Sequence, residues 1–216
     1  MSNIILTVAI IISAVLHMWA EYNGPPLQIY IFKPLTTSLI ITLSTLAKPP
    51  ISKRYKTLVL VGLLFSLSGD ILLMLPFDLF VFGLISFLIA HLVYIAAFQA
   101  KRPWRISWIP ALLLIAFGVT IYLVLAPGLG DMTIPVIFYI VVILTMAYSA
   151  WDQWDQHKER WAMLAFIGAL LFVLSDSILA INKFRHPFLA GRGMNLSFYF
   201  AAQWFIARSI EKNYHS

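Results

Sequence analysis

Gly62-Leu-Leu-Phe-Ser-Leu-Ser-Gly-Asp70-Ile-Leu-Leu and Gly168-Ala-Leu-Leu-Phe-Val-Leu-Ser-Asp176-Ser-Ile-Leu are one pattern written twice. In each, a glycine stands eight residues before an aspartate, and two aliphatic residues stand two and three after it. Stretches this apolar read as membrane-buried helices, and a carboxylate in hydrocarbon costs roughly 2.5–3.5 kcal/mol on insertion scales. Neither side chain can face lipid. The pair therefore predicts a polar site inside a bundle of transmembrane helices.

The rest of the chain agrees. Of its 216 residues, 61% are hydrophobic and 11% charged, against about 25% charged in a soluble domain. The fold class expected is all-α, a polytopic integral membrane bundle forming a single membrane domain. A crossing needs about 20 apolar residues, and eight segments qualify: about 4–21, 27–47, 57–75, 78–98, 106–126, 132–150, 161–182 and 190–209. Seven would remain if Pro135 disrupts the sixth. The breaks are Gly24-Pro25-Pro26, Lys48 to Lys56, Pro76, Lys101-Arg102-Pro103, Pro127 to Asp131, Trp151 to Arg160, and Asn182 to Phe188. Proline and glycine punctuate helices in this way. The first apolar run has no basic leader and no small-residue cleavage site, so it reads as a retained helix.

The net charge of +6 points to lipid headgroups and topology, and no nucleic-acid partner is expected. With eight spans and both termini on one side, that side carries Lys48, Lys53, Arg54, Lys56, Lys101, Arg102, Arg105, Lys158, Arg160, Arg208 and Lys212. The other side carries Lys183, Arg185 and Arg192. The positive-inside bias then puts both termini in the cytoplasm, and a bacterial inner membrane is the expected location. The three dissenting charges cluster just past Asp176, where they could bind a phosphate.

Asp70 and Asp176 are 106 residues apart, on the third and seventh expected helices. Two four-helix halves, repeated in parallel, would account for this. Chance likeness between two leucine-rich segments would too. In either case the two carboxylates lie at nearly the same depth. Lys33, in Lys33-Pro34-Leu35-Thr36-Thr37, shares that depth. It reads as a counter-ion or phosphate ligand, the bland alternative being an ammonium that snorkels to the interface. Phe87, His91, Tyr94 and Phe98 fall on one helix face, either as a packed interface or with His91 moving protons. His91 reads as deeper than the carboxylates. Arg192, Asn195, Tyr199 and Gln203 form a polar stripe that lipid cannot satisfy. Ser13, His17 and Glu21 make a weaker stripe, read as packing with an interfacial Glu21. The stretch Trp151 to Arg160 reads as an interfacial anchor with exposed acidic residues.

Several chemistries have no foothold. There is no cysteine, hence no disulfide, thiolate nucleophile or Cys-ligated metal. No Gly-x-Ser-x-Gly elbow, phosphate loop or close His pair occurs. No metal and no cofactor is expected.

At these residues the chain resembles the YhhN-like lysoplasmalogenase family. The likeness is carried by Lys33-Pro34-Leu35-Thr36-Thr37, Gly69-Asp70, Ala90-His91-Leu92-Val93-Tyr94, and Ser175-Asp176-Ser177-Ile178-Leu179-Ala180 running into Asn182-Lys183-Phe184. Tyr199 to Gln203 also fits, so the resemblance spans about residues 30–209. It implies hydrolysis of the vinyl ether bond of lysoplasmalogen, giving a fatty aldehyde and glycerophosphoethanolamine or glycerophosphocholine. The family aspartates fall on Asp70 and Asp176. The substrate-binding set then comprises Lys33, His91, Tyr94, Asn182, Lys183, Arg192, Asn195, Tyr199 and Gln203.

Two carboxyl groups suit the chemistry. One protonates the double bond; the other, ionised, steadies the oxocarbenium-like cation and takes a proton from water, much as a glycosidase pair does. With Lys33 beside it, Asp70 reads as the base and Asp176 as the acid. The partners implied are the lysophospholipid, membrane lipid and water. A small membrane transporter with an Asp/Lys site is the rival reading, and a lipid-binding scaffold the third.

Overall fold

The computed structural model describes residues 2–100 and 104–212. The described residues form eight α-helices: α1 (Ser2–Asn23), α2 (Pro26–Leu46), α3 (Lys53–Met74), α4 (Phe80–Phe98), α5 (Trp108–Leu129), α6 (Thr133–His157), α7 (Arg160–Phe184) and α8 (Gly191–Arg208). Local chemistry sets most ends. Pro25 and Pro26 open α2, where no intrahelical amide bond is lost. The Ser52 hydroxyl accepts from the Tyr55 amide at 3.0 Å to cap α3. At the close of α2, the Lys56 ammonium donates to the carbonyls of Thr45 and Ala47 at 2.6 and 3.0 Å.

Two expected breaks narrow. Within the one expected from Pro127 to Asp131, Pro127 lies inside the last turn of α5 and the turn falls at Gly130, whose φ is +50°. Pro135 sits in the first turn of α6, where proline is tolerated, so that helix is regular. The Trp151 to Arg160 stretch is mostly helical: α6 runs to His157 and ends on a left-handed Lys158. This buries Asp152 to 1% exposure, contrary to the expected exposed anchor. The reason is that Asp152 accepts from the Arg105 backbone amide and from the Gln99 and Gln156 side chains. The expected break at Lys101-Arg102-Pro103 lies outside the described residues.

Six described segments are long and apolar enough to cross a membrane. One of them, Trp108–His157, covers both α5 and α6; α8 is not among the six. The chain is an all-helical membrane protein. Helix α2 packs on α3, α3 on α4, α4 on α6, α6 on α7, and α7 on α8. Helix α8 returns to α1 and α2, closing a ring, while α5 leans outside on α6 and α7. Exposed aliphatic side chains such as Ile11, Ile109 and Leu113 crowd α1 and α5.

One end of the bundle gathers both chain ends. The Asn3 side chain donates to Glu211 at 2.9 Å, the Ile51 amide to Ile210, and the Lys212 amide to Pro49. At the other end Tyr22 of α1 donates to the Leu189 carbonyl and accepts from the Gly193 amide. Two glycines set close approaches. A Cβ on Gly168 would press on the Ala202 carbonyl and Ile206, across the α7–α8 seam. A Cβ on Gly128 would collide with the Phe184 carbonyl, where α5 meets α7. Gly128→Ala should therefore lower the thermal midpoint of the detergent-solubilised protein by the equivalent of about 1–3 kcal/mol. An unchanged midpoint would contradict that approach.

Candidate active site

Asp70 is 1% exposed and draws donors from two other helices. Thr37 of α2 donates to its Oδ2 at 2.8 Å, and the Tyr199 phenol of α8 to the same oxygen at 2.6 Å. The Lys33 ammonium of α2 lies 3.6 Å from Oδ1. Lys33 and Thr37 stand one turn apart, so a single helix face supplies both the charge and the hydroxyl. Every neighbour named favours a carboxylate. A buried charge persists only with such pairing and hydrogen bonding.

Asp176 stands at the edge of the interior, its side chain 13% exposed. Tyr139 of α6 donates to its Oδ2 at 2.5 Å, and His91 Nε2 of α4 lies 3.2 Å from the same oxygen. His91 Nε2 and the Tyr139 hydroxyl are 2.9 Å apart, so the three side chains form a closed triangle. His91 is thus at the carboxylate's level and in contact with it, correcting the deeper placement expected from the spacing of loops.

The two networks have no hydrogen-bonding side chain in common. Phe172 touches both: its ring is 5.6 Å from that of Tyr199 and 4.7 Å from that of His91, edge-on in each case. Phe87 packs on Tyr199 and Phe172 in the same layer. Asp176 lines an apolar crevice between α3, α4, α5, α6 and α7, walled by Leu73, Phe80, Phe87, Ile140 and Phe184. Tyr139, Asp176 and Ser177 are its polar lining side chains; Asp70 does not line it.

The other expected residues divide between these places. Tyr94 donates to the Gln203 side chain at 3.4 Å, behind Asp70. Lys183 holds its ammonium 4.7 Å from the Phe80 ring centre, beside the crevice. Asn195 accepts from Ser175, the neighbour of Asp176, at 2.6 Å. Asn182 accepts from the Phe188 amide and so shapes the α7–α8 loop. Arg192 is 72% exposed, 3.7 Å from Glu21 and apart from the crevice. The sequence reading gave no role to Tyr139; its one signal is a phenol set in the apolar run Ile134 to Leu144 of α6. Among the described residues, no three His, Cys, Asp or Glu side chains converge as metal ligands.

Chemically, the crevice offers a carboxyl group whose Oδ2 accepts from Tyr139 and sits against His91 Nε2, leaving Oδ1 to meet a ligand. Its walls suit a hydrocarbon chain and its rim cation an anionic group. Two buried polar atoms nearby, His91 Nδ1 and Gln203 Nε2, have no protein hydrogen-bond partner. Buried polar atoms of this kind call for ordered water.

The YhhN family model matches residues 28–210. A protein of Escherichia coli O157:H7 named "Uncharacterized membrane protein YhhN" is 30% identical over 203 residues, 94% of this chain and 97% of that one. "Lysoplasmalogenase TMEM86A" of Bos taurus is 36% identical over 158 residues, 71% of this chain and 65% of its own length. "Lysoplasmalogenase" of Mycobacterium tuberculosis is 33% identical over 143 residues, 62% and 52% respectively. No solved structure matches.

Removing the ammonium beside Asp70 should destabilise the fold. Lys33→Met is expected to cost about 3 kcal/mol in chemical denaturation, since it strands a buried charge. The double variant Lys33→Met/Asp70→Asn should recover much of that loss; strictly additive effects would show that the two side chains do not interact.

Proposed function

The chain belongs to the YhhN family, and from that premise we propose that it hydrolyses the vinyl ether bond of lysoplasmalogen. The products are a fatty aldehyde and a glycerophospho-headgroup, either glycerophosphoethanolamine or glycerophosphocholine. The observation that carries this reading is the His91–Tyr139–Asp176 triangle set in the wall of an apolar crevice. The relatives named lysoplasmalogenase support the substrate class.

In this reading the alkenyl chain lies along the crevice and its phosphate meets Lys183 at the rim. Asp176 enters with its proton on Oδ1, because Oδ2 is taken by Tyr139 and His91. It protonates the alkenyl carbon that does not bear oxygen, and the double-bond electrons form the new C–H bond. The positive charge settles on the adjacent carbon and the ether oxygen. Water attacks that carbon, and the hemiacetal collapses to aldehyde and alcohol. Asp70 takes the proton that the attacking water releases, passed through the ordered water called for by His91 and Gln203. The separation of the two carboxyl groups by Phe87, Phe172 and Tyr199 makes such mediation necessary. Tyr94, Asn182, Asn195, Tyr199 and Gln203 act as supports of this arrangement, while Arg192 pairs with Glu21 away from the crevice and takes no part in it.

The packing also supports two four-helix halves and eight crossings. Helix α2 meets α3 as α6 meets α7, α3 meets α4 as α7 meets α8, and α8 meets α2 as α4 meets α6. Asp70 takes its partners from α2 and α8, and Asp176 from α6 and α4, the helices that duplication equates. With both chain ends at one end of the bundle, the loop charges favour an orientation in a bacterial inner membrane with cytoplasmic termini.

Purified protein given lysoplasmalogen should release aldehyde. Asp176→Asn and Asp70→Asn should each lower kcat by about 100-fold or more, and Tyr139→Phe by about tenfold, as expected for acid–base groups and their orienters. Flux of lysolipid into liposomes without product would instead select the transporter.

A further inference from the structure

Helix α1 carries a buried histidine that the reaction above does not use. His17 is 0% exposed, with its ring edge-on to Phe200 of α8 at 5.6 Å. Its Nε2 is 3.5 Å from Oε1 of Glu21, and neither ring nitrogen makes a hydrogen bond. An unmet buried donor costs about 1–3 kcal/mol, and water is the ligand that satisfies it. The charged groups around it come from four helices. They are Glu21 on α1, Lys33 on α2, Asp70 on α3 and Arg192 on α8. Lys33 lies 3.6 Å from Asp70, and Arg192 3.7 Å from Glu21. Phe200, which packs on His17, also packs on Tyr199 at 5.3 Å between ring centres, and Tyr199 donates to Asp70. These side chains make a polar track from an exposed rim at Arg192 to the buried carboxylate.

The reaction gives that track a purpose. Each turnover leaves Asp176 without a proton and Asp70 with one. Asp176 regains its proton from the crevice, where it is part-exposed. Asp70 is buried and does not line the crevice, so its proton either retraces the water path or leaves through polar side chains on the other side. We propose that His17 and Glu21 form a proton relay, bridged by ordered water, that empties Asp70 toward the membrane face where α1 ends. The proton leaves Asp70 Oδ1 through water to His17 Nδ1. The imidazolium then releases its Nε2 proton to Glu21, Glu21 releases it at the rim, and the bridging water returns the remaining ring proton from Nδ1 to Nε2 before the next turnover. No electrons change hands, and Lys33 stays charged throughout to receive the restored carboxylate. Both relay residues precede Gln28, where the family match begins, so the device belongs to a helix outside the matched stretch.

The inference rests on the proposed role of Asp70 as base, and rapid-mixing kinetics separates the two. With lysoplasmalogen, the unmodified protein should release aldehyde over many turnovers; silence would overturn the hydrolase reading and the relay together. His17→Phe and Glu21→Gln should keep the first turnover, close to one aldehyde per protein, with KM unchanged, and slow later turnovers about tenfold. In His17→Ala, added imidazole should restore the later turnovers, and substituted imidazoles should do so in order of their basicity. Unchanged steady-state rates in both His17→Phe and Glu21→Gln would overturn the relay. First and later turnovers falling together, with no imidazole rescue, would reduce His17 to a packing residue and overturn it equally.

Discussion

A carboxylate buried between transmembrane helices is tolerable only where other helices deliver donors to it, and that requirement organises this bundle. Asp70 draws on α2 and α8, and Asp176 on α4 and α6. Each aspartate thereby ties its own helix to two that are not its hairpin partner alone. Lipid offers no competing hydrogen bonds, so the ties select one arrangement of helices that apolar packing by itself would leave degenerate.

Much of this is readable from the chain because hydrocarbon punishes charge. Asp70, Asp176 and Lys33 are conspicuous in apolar runs, and the approach of Lys33 to Asp70 follows from counting residues along helices. Tyr139 and Thr37 are not conspicuous: a phenol or a hydroxyl inside a membrane helix costs little, and its partner lies on another helix. The burial of Asp152 was hidden for a different reason. A stretch dense in Trp, Gln and charge reads as interface, yet its polar groups recur at helical spacing and meet the α4–α5 connection. Pro127 shows the same limit: α5 runs two residues past it to Leu129 and turns only at Gly130.

The aromatic layer of Phe87, Phe172 and Tyr199 changes the meaning of the paired aspartates. That the two carboxylates draw on different partners was not legible, because it depends on which helices pack together. The two carboxylates hold separate sets of partners: Asp176 lines an apolar crevice, while Asp70 is buried among Lys33, Thr37 and Tyr199. The proposed hydrolysis would use this division, one carboxyl group meeting an apolar substrate and the other staying in a polar setting.

The clasp of Asn3, Pro49, Ile51, Ile210 and Lys212 carries a consequence for biogenesis. Helix α8 leaves the ribosome after α1 to α7, and it supplies the phenol that Asp70 requires. The inserted chain therefore holds an under-satisfied acid until α8 has been made, and maturation waits for that helix to slot home beside α1 and α2.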